Sequence, residues 1–342
     1  SWLGAMASGK ASLAASSWSH DVSVGVMQVD HPTDSQVQII RNPGGGTSKC
    51  CAQHPVAAGA RVQGSTAEVF LEPRSAQQRD QWSSRNGARV YFARMPGEGT
   101  STNVADVEYT AWDLIGKTLA FTLDLSAADC GCNAAVYLVS MAQNNLPGNC
   151  GGDRYCDANA VCGVRCAEID IIEANKHALH ITGHTPEDGD GRGRGIGGSF
   201  GTAELTPSSY GPGSSIVDTT KPMRVLSYFK TGADGMLSGI EVQLIGASGR
   251  GVEVQMLDAM YARRLHTAVK NGMTPTVSYW SDAHLGWLQD GVCPGWNEVG
   301  EGTNTQMDAC GDHITVSDFE VFDGKVKLSP PPPNSPEPPP SP

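Results

Sequence analysis

Between Val22 and Phe322 the chain reads as short runs of β-branched and aromatic residues broken by Gly, Pro, Asn and Asp. The runs Thr118–Leu125, Ala134–Met141, Met223–Phe229, Ile240–Ile245 and Ile314–Phe322 are the clearest, and several alternate apolar with polar positions. Side chains of a strand point to opposite faces in turn, so this period of two marks half-buried antiparallel strands. Only Leu257–Lys270 has helical spacing. One long helix among about a dozen strands predicts an all-β sandwich, in which each sheet buries one face against the other. The first 60 residues are poorly legible by the same criteria. From Ser329 the sequence becomes SPPPPNSPEPPPSP, which lacks core-forming residues and favours an extended polyproline helix. The expected organisation is one domain over residues 1–328, followed by a proline-rich tail or linker at 329–342.

Composition narrows the class of partner. Lys and Arg total 24 against 36 Asp and Glu, a net charge of -12. That sign repels phosphate backbones and anionic lipid, which argues against nucleic acid and membrane partners, while a neutral polysaccharide is indifferent to it. No run approaches the roughly 20 apolar residues of a membrane helix. The start, Ser1–Met6, has no basic segment leading into an apolar run and reads as a mature or trimmed end. Ten cysteines, clustered at 50–51, 130–132, 150–166 and 293–310, are an even count in loop-rich surroundings. They read as disulfides formed in an oxidising, extracellular compartment. Their spacing does not repeat the paired pattern of a zinc site, so no metal is expected.

The chemistry concentrates in Cys166–Asn175, with Glu168, Asp170 and Glu173 set among Ile169, Ile171 and Ile172. The isoleucines favour a strand. In a regular strand Glu168 and Asp170 share a face and Glu173 takes the other. All three converge only if one extra residue is inserted as a β-bulge, and the doubled Ile171–Ile172 is the expected place. Crowded carboxyls among apolar neighbours repel one another, which raises at least one pKa. One protonated and one ionised carboxyl is the requirement of glycoside hydrolysis.

The string Cys-Ala-Glu-Ile-Asp-Ile-Ile-Glu-Ala-Asn resembles the signature of glycoside hydrolase family 7, whose usual form is Cys-Ser/Ala-Glu-Met-Asp-Ile-Trp-Glu-Ala-Asn. Further segments are similar in the same order: Gly87–Tyr91, Leu114–Ser126, Cys130–Met141, Tyr210–Ser215, Asp218–Lys221 and Val277–Asp282 with Trp287–Leu288. The resemblance implies a concanavalin-like sandwich (jelly roll), with few short helices and a curved sheet forming an open glucan cleft. It implies a secreted, cellulase-type retaining β-1,4-glucanase without cofactor. Glu168 would be nucleophile, Glu173 general acid/base, Asp170 its supporting carboxylate, and His184 a histidine near the centre. Arg89, Asn133, Tyr137 and Asp157 match sugar-contacting or cleft positions. Trp280 and Trp287 match indole platforms, whose flat faces bury the apolar faces of glucose. The same alignment pairs Cys156 with Cys166 and Cys130 with Cys293, and leaves six cysteines unpaired.

The departures shape the expected specificity. The links from Cys156 to Glu168 and from His184 to Tyr210 are shorter than in closed-tunnel members of the family, which favours endo cleavage by a monomer. Isoleucine at Ile172 replaces a tryptophan, removing aromatic bulk expected beside Glu173. The proline-rich tail resembles segments of wall glycoproteins and suggests cell-wall association. Two other readings share the scaffold: a carbohydrate-binding wall protein with little turnover, and a hydrolase of mixed-linkage or β-1,3-glucan.

Overall fold

Alternating strands can bury one face each only by stacking, and the chain does so in two antiparallel layers. The computed structural model describes residues 38–41, 60–63, 66–70, 88–94, 108–146, 154–189, 192–196, 205–282, 284–289, 292–293 and 309–326. The proline-rich tail, Cys50, Cys51 and Cys150 lie outside them. So do most of the first 60 residues.

Among the described residues, one seven-stranded sheet runs in the order β1 (Gln38–Arg41), β4 (Ala88–Tyr91), β17 (Thr274–Ser281), β8 (Cys132–Val139), β9 (Glu168–Ala174), β10 (Leu179–His184) and β11 (Arg194–Ile196). The second, also of seven strands, runs β16 (Gly251–Leu257), β15 (Leu237–Ile245), β14 (Met223–Thr231), β7 (Lys117–Asp124), β18 (His313–Asp323), β3 (Thr66–Phe70) and β2 (Ala60–Gln63). Two ribbons complete the strands: β5 (Ala93–Arg94) with β6 (Glu108–Tyr109), and β12 (Tyr210–Gly211) with β13 (Val217–Asp218). The five clearest apolar runs correspond to β7, β8, β14, β15 and β18, and a 3-10 turn at Ser140–Gln143 takes Ser140 and Met141 from the end of the second.

The core lies between the layers. Val136, Leu138, Ile169, Ile171, Ile172 and Val277 of the first sheet meet Leu119, Phe121, Val225, Val242, Ile314 and Val316 of the second, all buried in one cluster. The long helix α1 is Ala259–Asn271. Leu257, expected in the helix, belongs to β16 instead. Asp258 starts the helix because its side chain accepts the Tyr261 N–H at 2.9 Å. Gly272 ends it at φ 101, where a Cβ would also strike Ala111. A short helix α2 (Gly286–Gln289) follows β17.

Between described residues, three cystines tie the loops to the cleft sheet: Cys130–Cys293, Cys132–Cys310 and Cys156–Cys166. The middle pair is one that sequence reasoning left open. Cys162 is also disulfide-bonded, and no described cysteine is free.

Candidate active site

The strand β9 carries its irregularity at the doubled isoleucine. Val136 of β8 pairs with Ile172, and the next residue, Tyr137, pairs with Asp170, so Ile171 is an extra residue. The β10 side shows the same break, between His180 opposite Glu173 and Thr182 opposite Asp170. A single inserted residue reverses the alternation beyond it. Ile169, Ile171 and Ile172 therefore all enter the core, and Glu168, Asp170 and Glu173 all line one cleft on the outer face. Ile172 is fully buried between the sheets. The expectation that it sits beside Glu173 is thus corrected: the bulge turns it away from the cleft.

Burial and the neighbouring Asp170 carboxylate push the half-buried Glu173 up to about 8, against the opposing pull of the Asn133 amide and the His184 charge. Asn133 Nδ2 donates to Glu173 Oε1 at 2.9 Å, and its own Oδ1 is buried without a partner. The same amide can thus donate to the carboxylate or, if flipped, accept from the acid. Glu168 is buried, and desolvation with the charges of Asp170 and Asp157 raises it well above the usual carboxylate range. The backbone N–H of Ala158, donating to Oε2 at 2.9 Å, pulls it back toward the anion.

His184 supplies the counter-charge. Its Nε2 lies 3.0 Å from Asp170 Oδ2 and its Nδ1 2.6 Å from the Arg192 carbonyl. A carbonyl only accepts, so Nδ1 carries a proton, and a carboxylate at Nε2 favours a second. Burial works against that charge, but the Asp170 bond and the Arg192 carbonyl outweigh it and hold the imidazolium up to about 9.

Beyond Glu168 the cleft is built by the loop that Cys156–Cys166 closes. Asp157 is buried within it and accepts the Val161 N–H on Oδ1 at 2.9 Å. Desolvation raises its pKa. Opposite, the Arg89 guanidinium lies 3.5 Å over the Tyr155 ring, and the Tyr137 and Tyr155 hydroxyls meet at 3.1 Å. The resulting cavity is about 300 Å³.

Of the residues singled out in the sequence, Arg89, Tyr137, Asp157, Glu168, Asp170, Glu173 and Trp280 line this cleft. Asn133 and His184 act one step back, through Glu173 and Asp170. Trp287 stands apart, 44% exposed and edge-on to the His180 ring at 5.4 Å. Tyr155, Asn159, Ser278 and Asp282 also line the cleft and were not singled out. Ser278 and Asp282 could have been found from Trp280, since residues two apart on a strand share a face. Tyr155 and Asn159 sit in a loop, where no periodicity points. Among the described residues one trio, Asp129, Cys130 and His177, has metal-binding proximity, but the Cys130 sulfur is spent in a cystine and Asp129 already bonds Lys176 and His177.

The glycosyl hydrolase family 7 model matches residues 47–165, stopping just short of β9. Endoglucanase EG-1 of Trichoderma longibrachiatum is 28% identical over 256 residues, covering 64% of this chain and 54% of the relative. Endoglucanase 1 of Pyricularia oryzae is 32% identical over 168 residues, 40% of either chain. The chain spans about half the length of these curated relatives. In three dimensions it superposes on the endocellulase EGI of Humicola insolens with a TM-score of 0.56 at 18% identity, covering 85% of this chain and 90% of that one. A family 7 cellobiohydrolase from Daphnia pulex gives 0.54 at 18% identity, over 78% and 81%. At these identities the superpositions speak for a shared fold. Beside them, the family model and the curated relatives show that the chain is similar in sequence to glycosyl hydrolase family 7 over part of its length.

Proposed function

We propose that the protein is a secreted β-1,4-glucan hydrolase that cleaves cellulose-like chains internally by a retaining, two-step mechanism. The bulge in β9 carries this reading, because it sets Glu173 on the face of Glu168 and Asp170. Glu173, protonated at neutral pH, gives its proton to the glycosidic oxygen as Glu168 attacks the anomeric carbon. The bond to the leaving chain breaks and a glycosyl ester on Glu168 forms. Glu173, now a base, takes a proton from water, whose oxygen displaces Glu168 with overall retention. Asp170, paired with His184 at 3.0 Å, keeps a fixed orientation between them, and its charge, only partly offset by that imidazolium, helps keep the proton on Glu173.

The cleft suits a neutral sugar chain. Its carboxyls disfavour anions, while Trp280 offers an aromatic surface to the apolar face of a pyranose. The endoglucanase names of the curated relatives support internal cleavage, and the cystines support an extracellular setting. The folded domain of residues 1–328 would then be catalytic, with the proline-rich tail as spacer or wall attachment.

Reducing-sugar release from amorphous cellulose and the viscosity of hydroxyethylcellulose test this. The parent should release sugar with an early fall in viscosity, and Glu168→Gln should lose turnover by on the order of a thousandfold or more. Equal rates in parent and variant would remove the assignment. Activity confined to β-1,3 or mixed-linkage chains would move the substrate class, and binding without release would make the protein a lectin.

A further inference from the structure

His184 is held by the Asp170 carboxylate and by the Arg192 carbonyl, and Arg192 in turn donates its N–H to the Gly189 carbonyl at 3.3 Å, beside a turn fixed from elsewhere. The turn follows β10. Its Asp188 carboxylate accepts the Thr185 N–H at 2.9 Å, the Tyr261 hydroxyl, and Arg264 Nη1 at 2.9 Å. The Thr185 N–H lies 3.2 Å from the Tyr261 oxygen as well, and Arg264 Nη2 reaches Thr185 Oγ1 at 2.8 Å. These bonds and the Arg264 pair keep Asp188 low, at about 2, despite the opposing cost of desolvation. Tyr261 and Arg264 stand on α1, and the Tyr261 ring is buried in the main core. A rigid helix thus grips the turn by two side chains. Just before β11, a Cβ on Gly193 would lie 2.5 Å from His184 Nδ1, so only a glycine lets the returning backbone pass this close to the imidazole.

We infer that Tyr261, Arg264 and Asp188 are positioning residues for catalysis, holding the Arg192 carbonyl on His184 and, through it, His184 on Asp170. This inference rests on the hydrolase reading for its catalytic consequence, but its structural half stands apart from turnover. The groups around His184 are Glu168, Asp170 and Glu173 from β9, His180 from β10, Glu187, Asp188 and Arg192 from the turn, Arg194 from β11, and Tyr261 and Arg264 from α1. Asp170 and Glu173 favour its charge, while His180 feels the same charge as an opposing one. The Tyr261 hydroxyl also donates to the Gly183 carbonyl at 3.1 Å, at the end of β10, so removing it leaves the charged groups in place and frees the turn together with that last strand residue before His184.

The test follows the histidine ring signals against pH by NMR in the parent, Tyr261→Phe and Asp188→Asn. His184 is assigned by loss of its signals in His184→Gln. Tyr261→Phe keeps the buried ring, and Asp188→Asn gives a second variant outside the core. In both, the His184 midpoint should fall by about one unit or more as the carbonyl contact loosens. On a soluble cello-oligosaccharide kcat should fall roughly fivefold, the effect of about one lost hydrogen bond, with KM unchanged. Folded variants whose His184 midpoint and kcat match the parent would overturn the inference. An inactive parent with a shifted midpoint would count against the hydrolase reading alone.

Discussion

Of the strands that carry a one-residue bulge, β9 and β18 put it to different ends. In β9 one extra residue, Ile171, reverses the alternation and collects three acids on the cleft face. In β18, across the sandwich, the register shifts by one between Ser317 and Glu320, with Asp318 at φ 52. That bulge sends Phe319 into the core against Phe121, at 5.1 Å between ring centroids, and turns Glu320 outward to Arg224 at 2.6 Å. Arg224 also bonds the Asp318 carbonyl at 2.7 Å. Each bulge redirects an acid. The acid of β18 meets an arginine, so its charge is matched and its work is structural. Glu173 of β9 meets another carboxylate and an amide, so it retains its proton into neutral pH. Geometry alone does not raise an acid; burial beside the Asp170 carboxylate, only partly offset by Asn133 and His184, does.

Substitution of the two redirected acids breaks the comparison most sharply. Glu173→Gln should slow cellulose hydrolysis by roughly a hundred- to ten-thousandfold, the usual weight of a general acid. Aryl glycosides with good leaving groups should lose much less, because they need little protonation. Glu320→Gln should leave both rates within about twofold, since surface changes away from the site seldom reach it. Steady-state rates on both substrates separate the cases.

A second contrast lies in stability against pH. Glu173 is raised from 4.5 to about 8 and His184 from 6.5 to about 9. Each therefore binds more protons folded than unfolded across those windows, and the stability it contributes is lost as pH rises through them. The unfolding free energy of the parent should fall by about 4–7 kcal/mol between pH 5 and 9, and Glu173→Gln should flatten much of that slope. Glu320→Gln should lower stability by about 1 kcal/mol at every pH in the range, through the loss of one partly exposed pair, and leave the slope unchanged.

How much of this was legible in the sequence follows the range of the interactions. The need for a bulge could be read at Ile171–Ile172, because three acids and three isoleucines cannot otherwise segregate between two faces. The helix end at Gly272 and the start near Asp258 obey local capping rules, although Leu257 was drawn into the helix by its apolar character. The four- and five-residue strands β1, β2 and β3 are held by pairing with distant partners such as β4 and β18, and local pattern carries little of that. Ile172 was misplaced for a related reason: its family position suggested a neighbour of Glu173, while the alternation past the bulge sends it inward. The Tyr261–Asp188 contact spans 73 residues and joins a helix to a turn, and neither sequence segment announces the other.

Retaining hydrolysis requires Glu168 and Glu173 to reach across a single glycosidic bond. The anomer first released is the direct test, followed by proton NMR in the opening moments of hydrolysis, before mutarotation. Two carboxyls about 5–5.5 Å apart give double displacement, so the β-anomer should appear first and relax later to the equilibrium mixture. The α-anomer as initial product would place the two carboxyls too far apart for a covalent intermediate and contradict it.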